Sequence, residues 1–506
     1  MSSSAQQWLS LVGAIWLQTI NGPNSDFPVY SSELKDLLTI SQLQLNNLAF
    51  ASDAGKLFGW LSGLAAVYLP LWLVLLIGSC LGLIGYGFQF LFLVHKFSKL
   101  SYWHVFLLTV LAGNGVCWIN TVCYLICIQN FSSNQRSAVL GISTSYVGLS
   151  AKVYTVLADS FFHFLTSQSK AKSYLLLNAT VPMLASIVTS PFTRKIHPAN
   201  QEQLKSSALI FLFIITIATG VCAVISSVGS MSSGRRLATQ HAISLGLLLA
   251  LPLVIPVAMK FKQVLEDNKV HDLVSIHQVD VKEASEDNQS KEENIGASSM
   301  IKKLNFWLYY FSYMFSATLG LVFLNNMGQI AESRGLSKTS SLVSISSSFG
   351  FFGRLVPSLL DFYFSKNGHV ISRTASMTIL MAPIAGSFFL LLNQSNLSLY
   401  ISTAVIGACT GAITCIAVST TPELFGIKHF GVNHNVVVTN IPIGSLIFGF
   451  FAAFVYQNKE NGSRSCMGSE CFRTTFVLWG SICSFGTLLC FFLYLRTRKK
   501  FYLDTI

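Results

Sequence analysis

The chain has 506 residues, 52% of them hydrophobic and only 11% charged, where a soluble globular domain carries about 25% charged residues. Its apolar residues run in uninterrupted blocks of about 20, long enough to cross roughly 30 Å of hydrocarbon, which argues against a secreted enzyme or a nucleic-acid binder. The net charge of +12 is gathered in short connecting loops and in the tail Arg496, Arg498, Lys499 and Lys500, so its expected counter-charge is the membrane lipid headgroup.

The blocks lack the polar-apolar alternation of an outer-membrane barrel and cannot leave open sheet edges in lipid. They are therefore predicted to be α-helices that satisfy their own backbone groups. The N-terminal stretch has no basic region and no small-residue cleavage site, so the first block reads as a retained span. Polar breaks place six spans near 8–30, 44–66, 70–94, 104–128, 137–164 and 173–192, within an N-terminal half covering residues 1–200. Two linking spans follow near 206–229 and 240–260, within 201–260, the second kinked at Pro252 and Pro256. Residues 261–303 carry both charge signs and few aromatics. They cannot bury enough apolar surface to fold and are predicted to form a disordered cytosolic linker. Six further spans near 304–326, 340–363, 373–393, 397–420, 432–456 and 474–496 make up the C-terminal half and basic tail, 304–506.

This six-two-six layout predicts an all-α polytopic membrane protein of about 14 spans, built as two pseudo-symmetric six-helix bundles with two extra helices between them. An internal match supports the duplication. Gly55, Lys56 and Leu57 of the second span align with Gly353, Arg354 and Leu355 of the tenth, a small residue, a cation and a leucine at one depth. Gly55, Gly59 and Gly63 form a small-residue stripe that lets another helix approach, and the pairs Gly78 with Gly82 and Gly407 with Gly411 repeat it.

A cytosolic N-terminus puts Arg136, Arg194, Lys195, Lys205, the linker and the tail inside, in line with the positive-inside rule, although Lys96, Lys99, Lys170, Lys172, Arg235 and Arg236 fall outside. Nine of the eleven cysteines lie in apolar blocks and read as small packing residues. Cys466 and Cys471 share a polar loop on the expected outer side and are candidates for a short disulfide if that loop faces an oxidising compartment.

Ionisable groups in lipid are costly unless paired or wetted, so each is a candidate for function or for a structural ion pair. These are Asp26 in the first span, Asp53 and Lys56 in the second, Lys152 and Asp159 in the fifth, and Arg354 and Asp361 in the tenth. Asp53 and Lys56 share a helix face, as a structural pair or as a proton or substrate relay. Asp361 is expected to anchor a helix end or a loop. Arg354 either holds an anion through its planar fork or locks two helices. In the first span, Asn21, Gly22, Pro23 and Asn24 form a break that either kinks the helix or exposes groups to a solute. Asn114, Asn120, Tyr124 and Gln129 of the fourth span, with Tyr309, Tyr313, Asn325 and Asn326 of the ninth, are expected to line a wet interior. His163 and His434 read as interface or core residues, no histidine pair has metal-ligand spacing, and no phosphate-loop, zinc-protease or serine-hydrolase motif appears. Neither a metal nor another cofactor is expected, and neither is enzymatic activity.

Five stretches, Trp8–Gln18, Asp26–Lys35, Asn130–Arg136, Gly148–Thr155 and Asn326–Gln329, combine rare polar residues in fixed order. With the duplicated halves, they resemble the major facilitator superfamily and within it the plant nodulin-like, nuclear-fusion-defective-type group. The resemblance implies alternating access: two halves rock about a central cavity lined by the first, fourth, ninth and twelfth spans. The superfamily signature after the second span has an Asp and then a basic run. Here Gly63 stands at the acidic position and Ala65–Pro70 replace the run, while the C-terminal copy keeps Gly353, Arg354 and Asp361 with Lys366 alone. The usual lock between halves is thus in doubt.

The leading expectation is a secondary transporter of a small polar or anionic organic solute, coupled to protons through a carboxylate such as Asp53 or Asp26. The second is a membrane sensor or scaffold that keeps the fold without transporting. Plasma membrane and endomembrane both remain open as its location, and the oligomeric state is not legible.

Overall fold

A computed structural model of the chain describes residues 3–23, 27–94, 100–161, 170–196, 206–229, 235–261, 294–336, 340–366, 371–459 and 466–503. Among these residues every regular element is a helix and no strand occurs. Eleven helices are long and apolar enough to cross a membrane, and they coincide with the expected third, fourth and sixth to fourteenth spans.

The other three expected spans are helical but broken or more polar. The first, Ser3–Ile20, stops at Asn21 and a separate helix begins at Phe27, so it does not continue to residue 30. The second is divided into Gln42–Ala54 and Trp60–Tyr68 by a tight turn, Gly55–Phe58, immediately after Asp53. The fifth is divided into Ser133–Ser145 and Ser150–Phe161 by a similar turn at Tyr146–Leu149. Each break carries a glycine, Gly22, Gly55 and Gly148 respectively.

Packing follows the duplication read from the sequence. A Cβ on Gly55 would overlap the fourth-span backbone at Val110–Asn114, and one on Gly353 would overlap the twelfth-span backbone at Ala408. Both matched glycines therefore seat the second helix of a half against its fourth. One hydrophobic core is built from residues between Ile295 and Leu493. A second is built mainly from the N-terminal half, and Phe351, Leu355 and Phe430 reach into it from the other half. Large apolar side chains such as Leu107, Ile379 and Phe450 point outward, as they must where the surrounding solvent is lipid. Buried hydroxyls such as Thr109 and Thr216 bond to the carbonyl one turn earlier, Val105 and Leu212, and so satisfy themselves within the helix.

The two linking helices pack on the outside of the bundle. Phe213 of the seventh span meets Phe362 of the tenth at a ring separation of 5.7 Å, and Trp16 Nε1 donates to Leu249 O of the eighth at 2.8 Å. Pro252 lies in a tight turn, Leu251–Leu253, within the eighth span. Residues 262–293 lie outside the described residues, but the last ten residues of the expected linker, 294–303, are folded. Ile295 N donates to Phe425 O at 3.0 Å, Asn433 Nδ2 donates to Ile295 O at 2.7 Å, and Met300 is fully buried. Ile295 and Met300 each have an apolar core to enter, which is why this stretch folds where its composition predicts a linker.

Candidate functional site

A cavity of about 280 Å³ lies between the halves. It is lined by the first, second, fourth and fifth helices of the N-terminal half and by the ninth, tenth, twelfth and thirteenth of the other. The same four positions in each half contribute, four helices more than the first-and-fourth rule implies.

Its polar groups come from breaks and from helix faces. The first helix ends at Ile20, and the chain is stapled beyond it by Gly22 N donating to Ser150 Oγ at 3.0 Å and by Asn21 Nδ2 donating to Val116 O at 3.1 Å. Asn21 Oδ1 is left buried without a hydrogen-bond partner, as is Asn120 Oδ1 in the fourth span. Lys56 Nζ sits 2.6 Å from Asp53 Oδ1, and Ser445 Oγ of the opposite half donates to Asp53 Oδ2 at 3.3 Å. The aligned cations Lys56 and Arg354 thus meet at one cavity. Arg354 Nη1 donates to Gly350 O at 3.1 Å, and its electrostatic neighbours are Cys415, Tyr124 and Tyr313. Among the described residues Arg354 has no carboxylate within ion-pair distance. Tyr313 ends an α-helical segment immediately before a π turn, Met314–Thr318, an irregularity common at functional sites.

Two seams flank the cavity. Toward the face expected to be cytosolic, Gly63 and Gly431 bring two backbones so close that neither a Cβ nor a charged lock fits between them, and Gly141 receives Ser358 in the same way. Asn435 Nδ2 donates to Thr121 Oγ1 at 2.8 Å, Ser62 Oγ lies 2.6 Å from Thr121 Oγ1, and Thr144 Oγ1 donates to Cys415 Sγ at 3.3 Å. This face is closed by neutral hydrogen bonds and glycine, consistent with the missing basic run. Toward the other face the halves meet at Asp53 and Ser445.

The chain is 36% identical to Protein NUCLEAR FUSION DEFECTIVE 4 of Arabidopsis thaliana, an alignment covering 98% of this chain and 90% of that protein. The chain belongs to the nodulin-like family. The Nodulin-like family profile matches residues 7–257, and that of the NFD4 C-terminal domain matches 290–503. A shorter similarity, 27% identity over 210 residues, covers 38% of this chain and 43% of "Probable transporter MCH1" of Yarrowia lipolytica. Among solved structures, the major facilitator superfamily proton:xylose symporter XylE superposes with a TM-score of 0.54 at 10% identity, covering 97% of this chain and 96% of XylE. The nodulin-like chain has the major facilitator fold.

Asn114, Gln129 and Tyr309, expected in the wet interior, are not on the wall of the central cavity; of the other residues singled out in the sequence of this nodulin-like protein, Asn21, Gly22, Asp53, Lys56, Asn120, Tyr124, Tyr313, Asn325 and Arg354 line it. Asn326 does not. It caps its own helix through Nδ2 to Val322 O at 2.8 Å and faces a small neighbouring cavity with Asn47 and Ser445. Asp361 is also absent from the cavity wall. It lies 3.9 Å from Arg373, which makes a close ion pair with Glu423 and so ties the tenth, eleventh and twelfth spans together. Lys152 is half-buried in the fifth helix and does not line the cavity, and the Asp159 side chain lies outside the described residues. Asn24 and Asp26 lie outside them too. Cys466 and Cys471 form a disulfide.

Sequence reasoning missed Asn435, Thr144, Ser346, Ser347 and Thr414, all on the cavity wall. His434, read as core or interface, is buried and bonds through Nδ1 to Thr421 Oγ1 at 3.0 Å. It also lines the cavity and meets Tyr124 of the other half edge-on at 5.6 Å. Cys117 and Cys415, read as packing residues, line it as well.

Proposed function

We propose that this protein is a secondary transporter that carries a small organic anion by alternating access, with proton coupling through Asp53. One observation supports the substrate class above the others: Arg354 faces the central cavity with no carboxylate partner among the described residues. Asp53 and Lys56 cancel each other, so the guanidinium is the uncompensated charge. In a site of low dielectric such a charge attracts an anion, and its planar fork suits a carboxylate. The unpartnered amide oxygens of Asn21 and Asn120 accept hydrogen bonds from hydroxyl or amine groups elsewhere on the solute.

On this reading Asp53 reports a proton to the opposite half through its second oxygen, which accepts from Ser445 Oγ. Protonation removes its charge, weakens both contacts and loosens that seam, while the Gly63–Gly431 face opens and closes in the opposite sense. The fold shared with a proton symporter and the similarity to a protein named as a transporter support this reading. Uptake of radiolabelled organic anions into vesicles tests it. Accumulation should collapse with the pH gradient and fall in Arg354→Gln protein that still reaches the membrane. Unchanged accumulation in that variant, or no flux of any solute, favours a sensor or scaffold.

A further inference from the structure

A second cavity, of about 520 Å³, lies on the expected cytosolic side of the Gly63–Gly431 seam, with both glycines in its wall. It is assembled from span ends: Pro70 and Trp72 at the start of the third, Gln129 at the end of the fourth, the segment after the sixth, and the start of the thirteenth. The N-terminal half contributes Arg194 and Lys195, and the C-terminal half contributes Lys428 and His429. No acidic residue lines it, and neither Arg194, Lys195 nor Lys428 is in an ion pair among the described residues.

The positive-inside rule accounts for cations on this face, but not for the convergence of three exposed ones, contributed by both halves, on one cavity where they repel one another. Cations contributed by both walls suit an anion with more than one phosphate, which each wall can grip separately. The setting at the span ends, beside the half-exposed indole of Trp72, is the depth at which lipid headgroups lie and interfacial aromatics collect. We propose that this cavity binds a multiply phosphorylated anion, either the headgroup of a phosphoinositide or a free polyphosphate. An occupant joining Arg194 and Lys195 to Lys428 bridges the two halves across the glycine seam. On the transport reading above, it holds this face closed and slows turnover.

Binding is measured first, on the purified full-length protein in detergent, so the result does not depend on transport. The probes are short-chain phosphatidylinositol 4,5-bisphosphate and inorganic pyrophosphate, with short-chain phosphatidylcholine as control. Binding of pyrophosphate assigns a soluble polyphosphate, and binding of the phosphoinositide without pyrophosphate assigns the headgroup. In either case Arg194→Gln/Lys195→Gln/Lys428→Gln lowers affinity at least tenfold and flattens its salt dependence, whereas Arg496→Gln/Arg498→Gln does not. The exposed single substitution Lys428→Gln gives a smaller loss in the same direction and serves if the triple variant misfolds. Failure of both probes to bind, wild-type affinity in the Lys428→Gln protein, or equal binding of phosphatidylcholine overturns the proposal. So does binding seen only after Glu292→Gln/Glu293→Gln, which assigns the cations to the chain's own acidic stretch. If binding holds but the phosphoinositide leaves the flux of an active transporter unchanged, the site stands and its control of turnover does not.

Discussion

Asn435 of the thirteenth span donates to Thr121 Oγ1 of the fourth at 2.8 Å, so a buried hydrogen bond crosses the boundary between the halves beneath the central cavity. Asn435 Nδ2 also reaches Ser62 Oγ at 3.5 Å and its own Gly431 O at 2.7 Å, at the level where Gly63 and Gly431 touch. The bonds to Thr121 and Ser62 cross between the halves and must break if that face opens.

Removing the bridge is therefore expected to favour the open state. A net hydrogen bond of about 1 kcal/mol corresponds to roughly a fivefold change in population. Asn435→Ala should raise by about fivefold the rate at which a bulky maleimide applied from this face alkylates Cys117 and Cys415, which line the cavity and are buried. Thr121→Val should act in the same direction, and the double variant should add little, because both remove one contact. Rates equal to wild type would show that the contact does not hold the face closed.

The Asp53–Lys56 pair makes a different prediction. The side chains are 9% and 16% exposed, so removing one partner leaves a nearly buried charge alone, at a cost of about 3 kcal/mol. Asp53→Asn should lower thermal stability measurably, and Asp53→Asn/Lys56→Gln should recover most of the loss. If Asp53 carries the proton, the double variant should still exchange solute across the membrane but no longer accumulate it against a gradient. Accumulation that survives in the stable double variant moves the coupling site elsewhere.

The fold was legible because lipid makes each span visible as a run of apolar residues, and the polar intruders that break those runs stand out. Lys56, Asn120, Tyr124, Tyr313 and Arg354 were found in this way, and all reach the cavity. Ser346, Thr144 and Thr414 were not, because a small hydroxyl can satisfy itself on the preceding turn and so resembles packing. Asn326 was placed with the site because sequence gives depth along a helix poorly, whereas Asp361, expected to anchor a helix end or a loop, lies beside Arg373 of the next span. Both lie near helix ends, where a cap or an ion pair uses them locally. Glu423 and Arg373 were passed over for a related reason: at a span end a charge is ordinary, and only the fold brings these two together.

That ion pair has a stability consequence. Arg373 is bonded to Glu423 and lies 3.9 Å from Asp361, with side-chain exposures of 20% to 26% across the three. Glu423→Gln should destabilise the detergent-solubilised protein by about 1–2 kcal/mol, since it weakens the charge-assisted bond and leaves only the longer contact. Asp361→Asn should cost less, and a thermal melt orders the two. A larger loss from Asp361→Asn would make the longer contact the principal one.

Arg354 provides the sharpest test of the site. Its guanidinium donates to Gly350 O, one turn earlier in its own helix, so the remaining donors are available to a solute. A structural lock and an anion receptor both predict damage from Arg354→Gln, but they differ in what is damaged. A lock predicts lower thermal stability with affinity preserved in the protein that folds. A receptor predicts near-normal stability and an affinity loss of about 1.5–3 kcal/mol, roughly 10- to 100-fold, because a charge-assisted hydrogen bond is removed. Arg354→Lys separates them further. It keeps the charge but loses the planar fork, so it should bind a carboxylate solute between wild type and Arg354→Gln, and it should bind a neutral polyol no better than Arg354→Gln does. Measuring solute affinity and melting temperature on the same three preparations decides between the two roles, and a fall in stability alone, with affinity intact, would remove the anion from the central cavity.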